Sequence, residues 1–243
     1  MSPKHDHQNE LGQPIGFLLP DWKPCEPPPE TPMLGQYCRL ERLNLVAHAQ
    51  DLFDANITDT EGRIWTYLGY GPFDDVDSYK EWIKDQALGD DPLFHAIIDL
   101  KTDKAVGVAS YLRIEPPIGS IEVGHINYSP LLQKTAAATE AMYLMMARVF
   151  DELGYRRYEW KCDNANAKSR GAAERLGFTF EGVFRQCTIY KGRNRDTAWF
   201  SILDSEWPAL KAAYQEWLAP SNFNDDGSQK KALSDLMRAA LSK

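Results

Sequence analysis

"YEWKCDNANAKSRGAAERLGF" spans Tyr158–Phe178, and its reading decides the fold. It begins like a strand, passes through a polar knot, and becomes a helix stopped by Gly177. Asn164 or Asn166 suits the helix cap, where a side-chain oxygen accepts from free backbone amides. Ser169 falls in the first turn, three residues after Asn166. A cap accounts for one asparagine but not for the second, nor for the serine. A ligand held at a helix N-terminus is the other use of such a cluster.

Upstream, "SIEVGHINYS" (Ser120–Ser129) reads as a strand ending at Pro130. "LLQKTAAATEAMYLMMARVFDELGY" (Leu131–Tyr155) has helical spacing and a glycine stop at Gly154. A strand, a helix and a strand at 120–127, 133–153 and 157–162 predict one parallel pair. Further upstream, "YCRLERL" reads as a strand and Val46–Ile57 as a helix. Ile64–Leu68 is short, aromatic and strand-prone; a helix capped near Asp77 or Ser78 runs to about Leu88. Leu93–Leu100 and Ala105–Ile114 complete an antiparallel meander with the strand at 120.

Downstream, "FTFEGVFRQCTIYKGRNRDTAWFSIL" predicts a hairpin turning at "KGRN", and Trp207–Leu218 a helix. The expected fold is α+β, with a mixed, mostly antiparallel sheet flanked by helices. Three regions follow: a proline-rich arm at 1–36, a folded domain at 37–218, and a tail at 219–243 with one short helix. The apolar "IGFLLPDW" within the arm suggests packing on the domain or on a second subunit, so a homodimer is a possible assembly.

The chain has 243 residues, 43% hydrophobic and 26% charged, with a net charge of -8. That balance argues against a general nucleic-acid partner. No window reaches the ~18 apolar residues of a membrane span, so no membrane partner is expected. The four cysteines form no C-x-x-C pair, and His5 and His7 have no ligand cluster beside them. No metal site is expected, and the free thiols suit the cytoplasm.

Two junctions carry the candidate chemistry. After Tyr128, a strand with Gly124 and Asn127 runs into a helix that starts with small residues, "QKTAAATEA". Small side chains let backbone amides approach an anion, and Lys134 and Thr135 add a charge and a hydroxyl. The second junction is the opening stretch. Two consecutive parallel strands each feeding a helix would bring both junctions to one crevice.

These residues carry a resemblance. The chain resembles the GNAT superfamily of N-acetyltransferases, in the branch containing the ribosomal-protein N-terminal alanine acetyltransferases, over about Gly35 to Leu203. Its first block is similar to the acetyl-CoA loop Q/R-x-x-G-x-G/A, with Gln133, Ala136 and Ala138 at the motif positions. Ala136 replaces the usual glycine, which a negative φ tolerates and a positive φ does not. Its second block, Asn166 to Gly182, matches N-x-x-S-x-x-x-A-E-x-x-G-F-x-x-E-G.

The resemblance implies acetyl-CoA as cosubstrate and a sheet splayed at its two parallel strands. Ile126, Asn127 and Tyr128 would hold the acetyl carbonyl and pantetheine. Gln133, Lys134, Thr135, Ala136, Ala137, Ala138 and Thr139 would bind the pyrophosphate. Asn166 would bind pantetheine or order the site. Ser169 would donate a proton to the leaving thiolate, because the tyrosine position used by many members is Ala173 here. Glu122 is the candidate base and His125 the runner-up; on strict alternation they face opposite sides, so a bulge is needed for both to reach the cleft.

Trp65, Tyr67 and His95 are the expected acceptor-side residues, with Tyr70 and Phe73 near them. The acceptor expected is a primary amine, on a small molecule or a polypeptide N-terminus. The alternative is a CoA-binding or interaction module with this fold and little turnover.

Overall fold

In the computed structural model, which describes residues 7–242, the strand segments assemble into one eight-stranded mixed sheet flanked by six helices. His5 and the rest of the first six residues lie outside the described residues. The strands are β1 (Met33–Leu34), β2 (Cys38–Arg42), β3 (Leu93–Asp99), β4 (Lys104–Glu115), β5 (Ser120–Tyr128), β6 (Arg157–Asp163), β7 (Thr179–Tyr190) and β8 (Arg193–Leu203). The helices are α1 (Leu45–Asn56), α2 (Val76–Gln86), α3 (Ala136–Ala147), α4 (Ala167–Arg175), α5 (Trp207–Leu218) and α6 (Leu233–Leu241). Across the sheet the order is β1-β2-β3-β4-β5-β6-β8-β7. Only β5 and β6 are parallel, joined by the α3 crossover; every other neighbouring pair is antiparallel.

Alternation along the strands separates two apolar layers. Ile121, Val123, Tyr158, Trp160 and Cys162 face α3, α4 and α5, meeting Met145, Ala173 and Tyr214. Phe94, Ile98 and Val108 face the other way, onto Leu52 of α1 and Ile83 of α2. Glu122, Glu159 and Lys161, at the intervening positions, therefore point to the α1–α2 side.

Caps fix the helix starts. The Asp75 carboxylate accepts from the Ser78 amide at 2.7 Å in a reciprocal capping box, which starts α2 at Val76, ahead of the expected cap at Asp77 or Ser78. Thr135 Oγ1 accepts from the Ala138 amide at 3.1 Å, so α3 starts at Ala136 and not at Leu131. The preceding residues form a turn, with the Leu132 and Gln133 amides donating to the Ser129 carbonyl at 3.0 and 3.1 Å.

One expected strand is absent. Arg63–Trp65 is a single 3-10 turn entered from the left-handed Gly62. The Trp65 ring stands edge-on to Tyr70 and Phe73, at 6.1 and 5.4 Å between centroids. Burying these rings on the α1–α2 layer overrides a local strand preference.

The proline-rich segment packs on its own domain. Trp22 Nε1 donates to the Pro117 carbonyl at 2.9 Å and the Tyr155 hydroxyl to the Glu26 carbonyl at 3.2 Å. The buried Glu140 carboxylate of α3 accepts the Gln36, Tyr37 and Cys38 amides at 2.7, 2.6 and 2.8 Å. In the tail, Leu233 and Met237 of α6 are buried in the same core as α5.

Candidate active site

The site begins where the parallel pair comes apart. β5 and β6 are paired only from Ser120 and Arg157 to Val123 and Trp160. Beyond that point β6 continues on β8 as far as Asp163, while β5 stays with β4. A bulge turns β5: Ser110 pairs with Gly124 and Val108 with Asn127, so His125 and Ile126 oppose Ala109 alone. His125 takes a φ of 49° to make it. The strands diverge into a cleft of about 1920 Å³, open to both faces of the sheet.

On the α3–α4 face, two helix N-termini meet the cleft. Ala136 and Ala137 are the first residues of α3, and their amides have no intrahelical acceptor. Gln133 Nε2 donates to the Tyr128 carbonyl at 2.8 Å, tying the turn to the end of β5. Lys134 holds the left-handed bend, with φ 63°, whereas Ala136 keeps a negative φ and its methyl causes no backbone strain. Lys134, Lys168 and Arg175 put three cations on this part of the cleft. Together they offer amides, positive charge and helix dipole to an anion.

Asn166 caps α4, its Oδ1 accepting from the Ser169 amide at 3.1 Å. Trp160 Nε1 donates to Ser169 Oγ at 3.0 Å. An indole N–H is only a donor, so Ser169 accepts there and its own proton remains available for a second partner. Burial pushes the Cys162 thiol beside it above its ordinary range, and the Ser169 hydroxyl partly opposes that. Ala173 is fully buried in the core and does not face the cleft.

On the α1–α2 face, Glu122 is buried but doubly paired, with Arg113 Nη1 at 2.7 Å and Lys161 Nζ at 2.8 Å. Lys161 also pairs with Glu159 at 2.7 Å and lies 3.8 Å from the Trp199 ring centroid. Burial leaves the Glu122 carboxyl above its ordinary range, with Lys161 and then Arg113 opposing the rise in part. The bulge puts His125 on this same face, between Tyr70 and Phe94 at 5.8 and 5.0 Å. Burial, aided by Arg113 and Arg195, lowers His125 to about 4, so its imidazole is neutral near pH 7. The turn of the β7–β8 hairpin crosses above: Lys191 Nζ donates to the Trp65, Tyr70 and Gly71 carbonyls at 2.9, 3.3 and 3.0 Å.

Among the expected residues, Glu122, His125, Ile126, Tyr128, Gln133, Lys134, Ala138, Asn166, Ser169 and Tyr67 line the cleft. Tyr67 donates its hydroxyl to the Ala165 carbonyl at 3.2 Å. Asn127, Thr135, Ala136, Ala137 and Thr139 do not line it with their side chains. Thr135 is the α3 cap, Ala137 is core, and Thr139 Oγ1 accepts from Arg175 at 3.4 Å.

Trp65 and His95, expected on the acceptor side, lie elsewhere. Trp65 is in the aromatic cluster behind the loop, and His95 is fully buried in β3 against Tyr111. Trp160, Lys161 and Trp199 were given no role by sequence reasoning, and Lys191 and Arg195 fall in the basic stretch "YKGRNRD" (Tyr190–Asp196), which reads as a solvated turn. Glu159 and Lys161, two charged residues alternating with apolar ones in the strand-like "YEWKC", were a visible signal. Among the described residues no group of three or more metal-ligating side chains is assembled, and no helix is long and apolar enough to cross a membrane.

The sheet is splayed at its one parallel pair, and two helix N-termini converge on the gap. The model of the acetyltransferase (GNAT) domain matches residues 39–179, more than half of the chain. The chain belongs to the GNAT acetyltransferase family. A GCN5-related N-acetyltransferase from Brucella melitensis is 49% identical, covering 90% of this chain and all of its own, with a TM-score of 0.89. A probable GNAT-family acetyltransferase from Chromobacterium violaceum is 40% identical, with coverages of 81% and 98% and a TM-score of 0.75. "Uncharacterized N-acetyltransferase p20" of Bacillus licheniformis is 27% identical over 173 residues, 69% of this chain and 96% of that protein.

Proposed function

We propose that this protein transfers the acetyl group of acetyl-CoA directly to a primary amine. The observation that carries this reading is the gap itself: it opens a two-faced channel between β5 and β6 with different chemistry at each mouth.

The residues fit the cosubstrate. The free edge of β5 at Ile126–Tyr128 suits the amides of a pantetheine arm, as a strand edge suits another strand. The Ala136 and Ala137 amides with Lys134, Lys168 and Arg175 suit a pyrophosphate. When bound, acetyl-CoA supplies an activated acyl group as a thioester. The chain then positions and moves protons. Holding amine and thioester in line across the gap removes most of the entropy cost of meeting.

Ser169 Oγ, fixed by the Trp160 indole, keeps its proton for the departing thiolate. On the opposite face, the neutral His125 imidazole accepts the amine proton directly or through water. Glu122 is held by two cations, so its part is to anchor Lys161 and fix the floor of the acceptor side. The Tyr70 and Phe94 rings against His125, with Trp82 stacked behind Tyr70, exclude water from that side.

A thiol-release assay with acetyl-CoA and an amine panel tests the proposal. Release dependent on an amine supports it. Acetyl-CoA binding by calorimetry without turnover on any amine would favour a binding module, a reading to which the burial of Ala173 lends itself.

A further inference from the structure

The charges lining the cleft can be sorted by partner. Arg113, Arg157 and Lys161 are spent on Glu122, Glu159 and Glu181. Lys134, Lys168 and Arg175 gather around the helix N-termini of the opposite face. Arg63 pairs with Glu61, and Arg156 lies over the Phe17 and Trp22 rings of the N-terminal arm. Arg195 of β8 is left. Its Nε donates to Thr197 Oγ1 at 3.2 Å and its guanidinium carbon lies 5.8 Å from the Tyr190 ring centroid. Among the described residues it has no carboxylate partner.

The neighbouring acids are engaged elsewhere. Asp163 accepts from the Ala165 amide and the Tyr190 hydroxyl, both at 2.8 Å. Asp196 accepts from the Gln186 amide at 2.7 Å and from Asn194 at 3.0 Å. Arg195 thus presents the free end of a planar, permanently charged fork to the acceptor side of the cleft, a geometry suited to bidentate contact with a carboxylate. Its field reaches the amine position, since Arg195 is one of the cations that lower the neighbouring His125. The hairpin that carries it is pinned over the cleft by Lys191.

We infer that Arg195 is a specificity-determining residue that binds a carboxylate on the acceptor, so that the preferred acceptor is a primary amine with a carboxylate close to it. The inference rests on the reading of the protein as an amine acetyltransferase. It gives the acceptor site a positive reader even though the whole chain is acidic.

The test uses two matched acceptor pairs, alanine against alaninamide and Ala-Asp-Ala-amide against Ala-Asn-Ala-amide. The expected result is an acid-over-amide preference of at least about tenfold in kcat/KM in one pair, the worth of one charge-assisted hydrogen bond. Arg195→Gln should bring that ratio to about one, and Arg195→Lys should keep part of it. No preference in the parent protein, or a preference that survives Arg195→Gln, would overturn the inference. A raised KM for acetyl-CoA with the acceptor ratio intact would place Arg195 on the cosubstrate and overturn it as well. Bound acetyl-CoA with no turnover of any of the four acceptors would instead count against the acetyltransferase reading, and this inference would fall with it.

Discussion

Replacing Ser169 by alanine separates chemistry from folding. Ser169 accepts the Trp160 indole N–H at 3.0 Å, and in the proposed mechanism its own proton goes to the departing thiolate. Losing the first leaves a buried indole donor without a partner, at a cost of about 1–2 kcal/mol. For a chain of this size that lowers Tm by roughly 2–8 °C. Losing the second removes a general acid. Such groups are worth about 10²–10⁴ in rate, and the lower end applies because a thiol of pKa about 8.5 is already a fair leaving group. A fall in kcat of about 100-fold is expected, equivalent to about 2.7 kcal/mol of barrier. Thiol release at saturating acetyl-CoA and amine, with thermal melts on the same samples, reads both. Ser169→Thr, which keeps the hydroxyl, should recover most of the rate. A kcat within about threefold of the parent alongside a lowered Tm would reduce Ser169 to a structural partner of Trp160 and refute the assignment.

Three further outcomes follow from the geometry. Lys134→Gly should relieve a left-handed non-glycine residue and stabilise the protein by about 1 kcal/mol, yet raise the KM for acetyl-CoA by removing a phosphate-side cation; melts and steady-state kinetics check the two signs. Lys161→Met should cost about 3–5 kcal/mol in chemical denaturation, because Glu122 and Glu159 stay buried with one counter-charge fewer each, and adding Glu122→Gln should return part of that. His95 is lowered by burial from 6.5 to about 4, so its contribution to stability is present above pH 6.5 and is lost as the pH falls toward 4. In His95→Leu the loss of stability across that window should shrink by up to about 3 kcal/mol, read from denaturant midpoints at several pH values.

The parts legible in the sequence were those with strong local grammar. The period change at Pro130, the glycine stops and the capping asparagine gave α3, β6 and α4 in order. The need for a bulge followed from Glu122 and His125 lying three residues apart, and the bulge is where the strands part. The α3 start was placed too early because a left-handed Lys134 leaves no local mark. Ile64–Leu68 read as a strand because aromatic residues favour strands, yet the rings are buried by tertiary packing that no short window encodes. His95 and Trp65 misled for the same reason: an aromatic residue beside a cleft and one in a core have the same sequence. The Trp160–Ser169 bond and the Lys161 network join residues on different elements, so they emerge only with the sheet register.

The central claim is that the parted strands β5 and β6 hold the acyl donor so that its sulfur meets Ser169. A crystal structure of the complex with CoA tests it most directly. The account predicts pantetheine along the β5 edge at Ile126–Tyr128, pyrophosphate oxygens on the Ala136 and Ala137 amides, and the sulfur within hydrogen-bond reach of Ser169 Oγ. CoA bound outside the gap, or a sulfur out of reach of Ser169, would contradict it.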